Sequence, residues 1–398
     1  MQTQEIQALR AATRGATDLI HFNNAGCSLP PDKVLDTVIG YLQEEAIKGG
    51  YETEAKYAAE LDNVYTLIAR LLNAQKDEIA LVENASTGWH LAFNGIDFQP
   101  GDEVITSEME YVTNHIGFLN LGEKKAIRII VIPNDAKGNF DLQALEQAIN
   151  KKTKLIAITH IPSTAGNILP VEAIGKIARS HGILYLLDGC QSAGHIPLDV
   201  EAIGCDMLAA TGRKYLRGPR GTGFLYVRKN AQHQLRPFFL DGHSVTSVGE
   251  KGFELQDNAR RFELYEKNRA LVLGLGAAVS YALNLGVDNI EKRITHLSAL
   301  LRSRLASLPA VTVHDKGHRL SGIVTFSVAN IEATSVKAAL QEKKINVSVG
   351  KALSTIIYMN RHHLSSVVRA SVHYYNTEEE IDALCEILAG LFDPIPVL

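Results

Sequence analysis

The sequence predicts an α/β protein with a largely parallel sheet covered by helices on both faces, and three observations predict it. Short apolar runs of strand length recur seven times between residues 79 and 227. Amphipathic stretches of helix length separate several of them. The runs are apolar along their length, the pattern of strands buried on both faces.

The chain is long enough for two domains with cores of their own: 398 residues, 46% of them apolar and 21% charged. A net charge of −4 gives no electrostatic case for nucleic acid or an anionic membrane surface. No apolar run approaches the roughly 18 residues that a membrane span needs. The first twenty residues read as a short amphipathic helix without a signal pattern, so a cytoplasmic protein is expected. Cys27, Cys190, Cys205 and Cys385 are widely spaced and form no CxxC; buried small residues are the expectation, not a disulfide framework. The histidines show no ligand spacing, and no metal is implied.

Ile20-His21-Phe22 is a short strand, and the small residues of Asn23-Asn24-Ala25-Gly26-Cys27 let a backbone approach something closely. Pro30-Pro31-Asp32 opens a helix that Gly49-Gly50-Tyr51 breaks, and a second helix runs from about Glu54 to Leu72. The expected strands are Ile79 to Val82, Glu103 to Thr106, Ile127 to Ile132, Leu155 to Ile161, Ile183 to Leu187, Met207 to Thr211 and Gly223 to Val227. Helices are expected from Trp89, over Leu142 to Ile149, and over Val171 to Arg179.

In such sheets ligands sit at the carboxyl ends of the strands. Ser86-Thr87, Tyr111, Ser163, Asp188 and Thr211 to Lys214 all fall just after strand ends, so one pocket can collect them. Ser86 and Thr87 lie between a strand and a helix, where free N–H groups and the helix dipole favour an anion; a helix cap is the alternative role. Lys214 follows an apolar approach, Met207 to Ala210, and a cation, Arg213; burial and a cationic neighbour turn a lysine into an amine nucleophile. With buried Asp188 upstream, the arrangement suggests a carbonyl cofactor.

The second half changes character. Gly242 to Gly252 is expected to be a mobile or interfacial loop, and Arg261-Phe262-Glu263 to open a long helix reaching about Leu285. A smaller α+β unit follows, with helices over Ile290 to Leu308, Ser335 to Glu342 and Glu378 to Leu391, and strands over Gly322 to Val328, Val347 to Val349 and Val367 to His373. The division expected is 20–275 for a large domain, and 1–19 with 276–398 for a small one.

These residues resemble the class V aminotransferase family, fold type I pyridoxal-phosphate enzymes that include cysteine desulfurases, selenocysteine lyases, C–S lyases and isopenicillin N epimerase-like proteins. The similarity runs from Asn23-Asn24-Ala25 to Tyr375-Asn376-Thr377-Glu378-Glu379-Glu380-Ile381-Asp382. It implies a large domain with a mostly parallel seven-stranded sheet and a smaller C-terminal α+β domain. It implies that Lys214 binds pyridoxal 5′-phosphate covalently, that Asp188 pairs with the ring nitrogen and that Gln191 contacts the ring oxygen. Ser86, Thr87 and Thr211 match phosphate contacts, and Arg213 takes the place of a histidine there. Tyr111 matches a ring-stacking histidine, with Trp89 as a rival. Ser163 replaces an asparagine near the ring oxygen, with Thr164 equally placed. Arg369 matches the arginine that grips a substrate carboxylate, and Ala25-Gly26 lie with it on the substrate side.

The resemblance also implies a homodimer that shares its active sites, with Gly242 to Gly252 and Arg220-Gly221-Thr222 as the exchanging segments. Cysteine desulfurases carry a catalytic cysteine before that arginine, whereas no cysteine lies between Cys205 and Cys385 here. The expected function is therefore a C–S lyase working by β-elimination. An aminotransferase or epimerase shares the same residues, and a non-catalytic protein on this fold is the reading from another class.

Overall fold

The computed structural model describes residues 1–391; residues 392–398, at the end of the second expected unit, lie outside the described residues. All seven expected strands form and join in one sheet: β1 (Ile79–Val82), β2 (Glu103–Ser107), β3 (Arg128–Ile132), β4 (Thr153–Thr159), β5 (Leu184–Asp188), β6 (Met207–Thr211) and β7 (Gly223–Val227). Their order across the sheet is β1-β7-β6-β5-β4-β2-β3. Six strands run one way; β7 is antiparallel to both β1 and β6, so the β6–β7 connection doubles back as a hairpin.

Alternation along each strand divides the core between the two faces. Ile156, Ile158, Tyr185, Leu187, Leu208, Ala210, Phe224 and Tyr226 belong to one apolar cluster. Their neighbours Leu155, Ala157, Leu186, Met207, Ala209, Leu225 and Val227 belong to another. Helix α1 (Ala85–Gly95) brings Trp89 and Phe93 to the second cluster, and α3 (Val171–Ser180), which follows α2 (Val112–Lys125), brings Ile174 and Ala178 to the first. A second, four-stranded antiparallel sheet has the order β8-β9-β11-β10, from β8 (Val311–Val313), β9 (Ile323–Val328), β10 (Ser348–Lys351) and β11 (Ser366–Ser371). No single helix among the described residues is long and apolar enough to cross a membrane.

Four local expectations need correction. The helix placed from Arg261 starts at Arg269, because Asn268 caps it and the preceding segment is otherwise engaged: the buried Glu263 accepts from the Leu81 amide at 2.7 Å and the Tyr65 hydroxyl at 2.9 Å. Gly242 to Gly252 is not simply a loop; Val245–Gly249 pairs antiparallel with Gly252–Leu255. The helix expected from Glu54 is preceded by a separate turn of helix, Gly50–Lys56, and Gly49 makes the break at φ +96°. Helix α2 was not foreseen, because its start is rich in β-branched and polar residues and Ile116 and Leu119 face solvent.

Helix α3 approaches the segment Val200–Ile203 so closely that a Cβ on Gly175 would lie 1.7 Å from the Ile203 carbonyl oxygen. Gly175→Ala should therefore destabilise the fold by about 1–3 kcal/mol, read as a lower denaturation midpoint at unchanged m-value; an unchanged midpoint would refute this packing.

Candidate active site

A cavity of about 300 Å³ opens beyond the carboxyl ends of the large sheet, with Ser86, Tyr111, Cys190, Thr211, Arg213 and Lys214 on its wall. Glu83 and Arg220 line it as well. The hairpin between β6 and β7 carries Lys214. Gly212 N–H donates to Thr222 O at 2.9 Å and Gly218 N–H to Gly212 O at 2.8 Å, closing the loop on itself. Arg217 pins it from inside at φ +60°, donating to Leu29 O, the Tyr374 hydroxyl and the Thr13 hydroxyl at 2.6–2.7 Å. Three residues outside the hairpin thus fix the lysine's loop.

Lys214 is buried, its Nζ 5.9 Å from the centre of the Tyr111 ring. Burial holds its ammonium below the ordinary value; Cys190 and Asp188 oppose that, while Arg213 and Arg369 reinforce it. Asp188 ends β5 and is buried too. Burial raises its carboxyl, opposed by the nearby Lys214 charge and by hydrogen bonds from Cys190 N–H at 2.9 Å and Asn114 Nδ2 at 3.0 Å. Burial raises the Cys190 thiol, and the nearby Lys214 and Arg213 charges oppose that.

Neither Ser86 nor Thr87 is the cap of α1. Asn84 is, its Oδ1 accepting from Thr87 N–H at 2.9 Å. Ala85 and Ser86 N–H groups have no intrahelical acceptor at this position and face the cavity end of the helix. Arg213 Nη1 lies 3.4 Å from Thr211 Oγ1, which itself donates to Thr222 O at 3.1 Å. Two arginines, a helix N-terminus and two hydroxyls are the donor set of a phosphate seat. Thr87 turns its N–H and hydroxyl to Asn84 and is not on the cavity wall.

Gln191 donates to Ala25 O at 3.1 Å and leaves Oε1 buried without a partner. His195 takes a single tautomer: Nε2 accepts from Gly322 N–H at 3.0 Å, so Nδ1 donates to Gln191 O at 3.0 Å. Arg369, on β11, reaches Ser163 O at 2.9 Å and Asn23 Oδ1 at 3.4 Å, leaving Nε without a partner. Ser163 Oγ is also buried and unpartnered, whereas the Thr164 hydroxyl meets that of Thr355. Gly26 turns tightly; a Cβ there would sit 2.5 Å from Asn23 Oδ1. Gln191, Ser163 and Arg369 are not on the wall of the cavity of about 300 Å³; their orphaned polar atoms, together with the phosphate donors on that wall, fit a polar ring with a phosphate arm.

Trp89 is no rival to Tyr111. It lies in the core, stacked on Phe93 at 4.7 Å and edge-on to Phe118. Arg361 pairs with Glu108, His243 lies 3.3 Å from Glu263, His90 packs edge-on to Trp89 and Tyr51 is exposed. Sequence reasoning missed Cys190 as a wall residue, Asn84 as the cap, and the pair Glu110–Asn114 beside Asp188. The one available signal was their i, i+4 spacing around Tyr111.

The architecture is that of fold type I pyridoxal-phosphate enzymes: an apo cysteine desulfurase of Thermococcus onnurineus matches with a TM-score of 0.91 at 27% identity, over 97% of each chain. The chain belongs to the aminotransferase class-V family, whose profile matches residues 20–384, and is a pyridoxal-phosphate-dependent enzyme of that family. A "probable cysteine desulfurase" of Methanothermobacter thermautotrophicus is 32% identical over 377 residues, covering 93% of this chain and 94% of that protein. The cystine C-S lyase C-DES, solved with its product cysteine persulfide, shares the fold at a TM-score of 0.86 and 23% identity, over 95% of this chain and 99% of that one.

Proposed function

We propose that the protein is a C–S lyase that cleaves a cysteine-derived amino acid by β-elimination. One observation carries this reading: no cysteine lies between Cys205 and Cys385, so the segment before Arg369 offers no thiol to receive sulfur. That segment is also tied down, Thr355 to Thr164 and Arg361 to Glu108. Chemistry that needs a base, a carboxylate grip and a leaving group is favoured over one that needs a travelling thiol.

When bound, pyridoxal phosphate supplies an electron sink conjugated to the substrate Cα. The chain's own residues do the rest. Ser86, Thr211 and Arg213 would hold the phosphate, with Arg220 on the same wall, while Thr87, turned to Asn84, would take no part. Tyr111 would cover the ring, Asp188 would pair with its nitrogen, and Gln191 and Ser163 would meet its oxygen. Arg369, with Nε free, takes the substrate carboxylate in a bidentate grip beside Ala25 and Gly26. Lys214, whose ammonium burial holds below its ordinary value, removes the Cα proton as the sulfur departs from Cβ.

Incubation with cysteine, cystine and S-substituted cysteines should release pyruvate in step with the sulfur product. A different keto acid, with the cofactor accumulating in its amine form, would replace this reading with transamination. In Lys214→Ala the cofactor should still bind but lose its covalent attachment, shown by loss of the visible absorption band, and turnover should fall by several orders of magnitude; near-normal turnover would remove Lys214 from its role.

We also propose a homodimer. Ile47, Tyr51, Phe238, Phe239, Val248 and Tyr265 are large apolar or aromatic side chains left exposed, an amount of apolar surface that favours a second copy as its cover. Sedimentation should give twice the 43.5 kDa chain mass, and a monomer at micromolar concentration would overturn this.

A further inference from the structure

Glu110 precedes Tyr111 and is buried against two strands of the large sheet and helix α2. Its Oε2 accepts from the Thr106 hydroxyl on β2 at 2.8 Å. Its Oε1 accepts from Asn114 Nδ2 at 2.7 Å, from Tyr111 N–H at 3.0 Å and from the Thr159 hydroxyl on β4. Asn114 Nδ2 spends its other hydrogen on Asp188 Oδ2 at 3.0 Å. A single carboxamide therefore bridges two buried carboxylates, one behind the Tyr111 backbone and one at the floor of the site.

Of the groups facing Glu110, Thr106, Thr159 and Asn114 are neutral, and Tyr111 makes contact through its backbone amide. Asp188 is the titrating neighbour that bears on it, and Lys214 bears in turn on Asp188. Two carboxylates this close, both out of water, resist ionising together. Nothing in the proposed elimination uses Glu110, yet a buried acid with four hydrogen-bond donors around it is an expensive feature to keep in a core.

We propose that Glu110 is a positioning residue that, through the Asn114 carboxamide, governs how readily Asp188 carries its negative charge, and that it aims Tyr111 by holding its backbone amide. The consequence for the cofactor rests on the placement of Asp188 at the ring nitrogen given above; the coupling between the two carboxylates does not. Burial, reinforced by the Asp188 charge, pushes Glu110 up to about 7, although its hydrogen bonds work the other way. A change of charge on Glu110 would reach Asp188 through the Asn114 carboxamide that both carboxylates share.

The test begins with cofactor-free protein. Infrared titration should show a buried protonated carboxyl that loses its proton near pH 7; Glu110→Gln should lack that band, and Asp188→Asn, which leaves Glu110 untouched, should move its titration to lower pH. A folded carboxyl that keeps its proton to about 7, against an ordinary 4.5, makes the fold lose stability as pH rises between those values. Glu110→Gln should flatten that slope, a result that also verifies that the variant folds. A titration indifferent to Asp188→Asn would overturn the coupling. In the cofactor-loaded protein, the absorption spectrum of the wild type should inflect near pH 7 and that of Glu110→Gln should not. If the infrared coupling is present but both spectra titrate alike, the seat assigned to Asp188 at the cofactor is wrong, and with it the role of Glu110 in tuning the cofactor.

Discussion

Burial acts on both ends of the cavity in the same sense: it favours the uncharged form of Lys214 and of Asp188 alike. For the lysine this is useful, since an amine must be free of its proton to act as nucleophile or base. For the aspartate it is a cost in the role proposed for it, because a neutral carboxylic acid cannot sustain a cationic ring nitrogen. The structure resolves the conflict with directed donors. Cys190 N–H and Asn114 both point at the Asp188 carboxylate. Much of the surrounding architecture can be read as the means of keeping those donors in place.

That support is drawn from the whole chain. Asn24 donates to His21 O and Ser371 O and accepts from the Tyr375 hydroxyl, so the N-terminal segment is stitched to β11, which carries Arg369. His195 joins the loop of Gln191 to the backbone of Gly322 next to β9. These segments are linked through neutral histidine and amide groups, which need no counter-ion inside the protein. His195 suits that task because burial holds it to about 3, far from any change of charge under working conditions.

The large sheet was legible because its strands are short apolar runs, and Asp188 and Thr211 stand at the carboxyl ends of two of them, with Lys214 just beyond the second. The groups that tune them were not legible. Asn114 lies 74 residues from Asp188, in a helix whose apolar face is too broken to announce itself. Glu110 reads as an ordinary surface acid until β2 and β4 close over it. Cys190 reads as a small core residue, which it resembles in size, and only the cavity shows that its thiol faces the reactive space. Asn84 was hidden by its more conspicuous hydroxyl neighbours. Local patterns report where backbone ends fall; they say little about which side chains meet across the sheet.

The reversed direction of β7 has an effect on the lysine itself. Other strands of the sheet are joined by crossovers through helices, whose lengths vary without disturbing the ladder, but Lys214 sits in a turn whose two stems are paired residue by residue, from Met207 opposite Val227 to Thr211 opposite Gly223. Its location is therefore set by strand register, a discrete quantity that moves in steps of one residue and inverts the facing of every side chain with each step. A reactive group mounted this way cannot drift by small adjustments of the backbone; it is either in register or absent from the site.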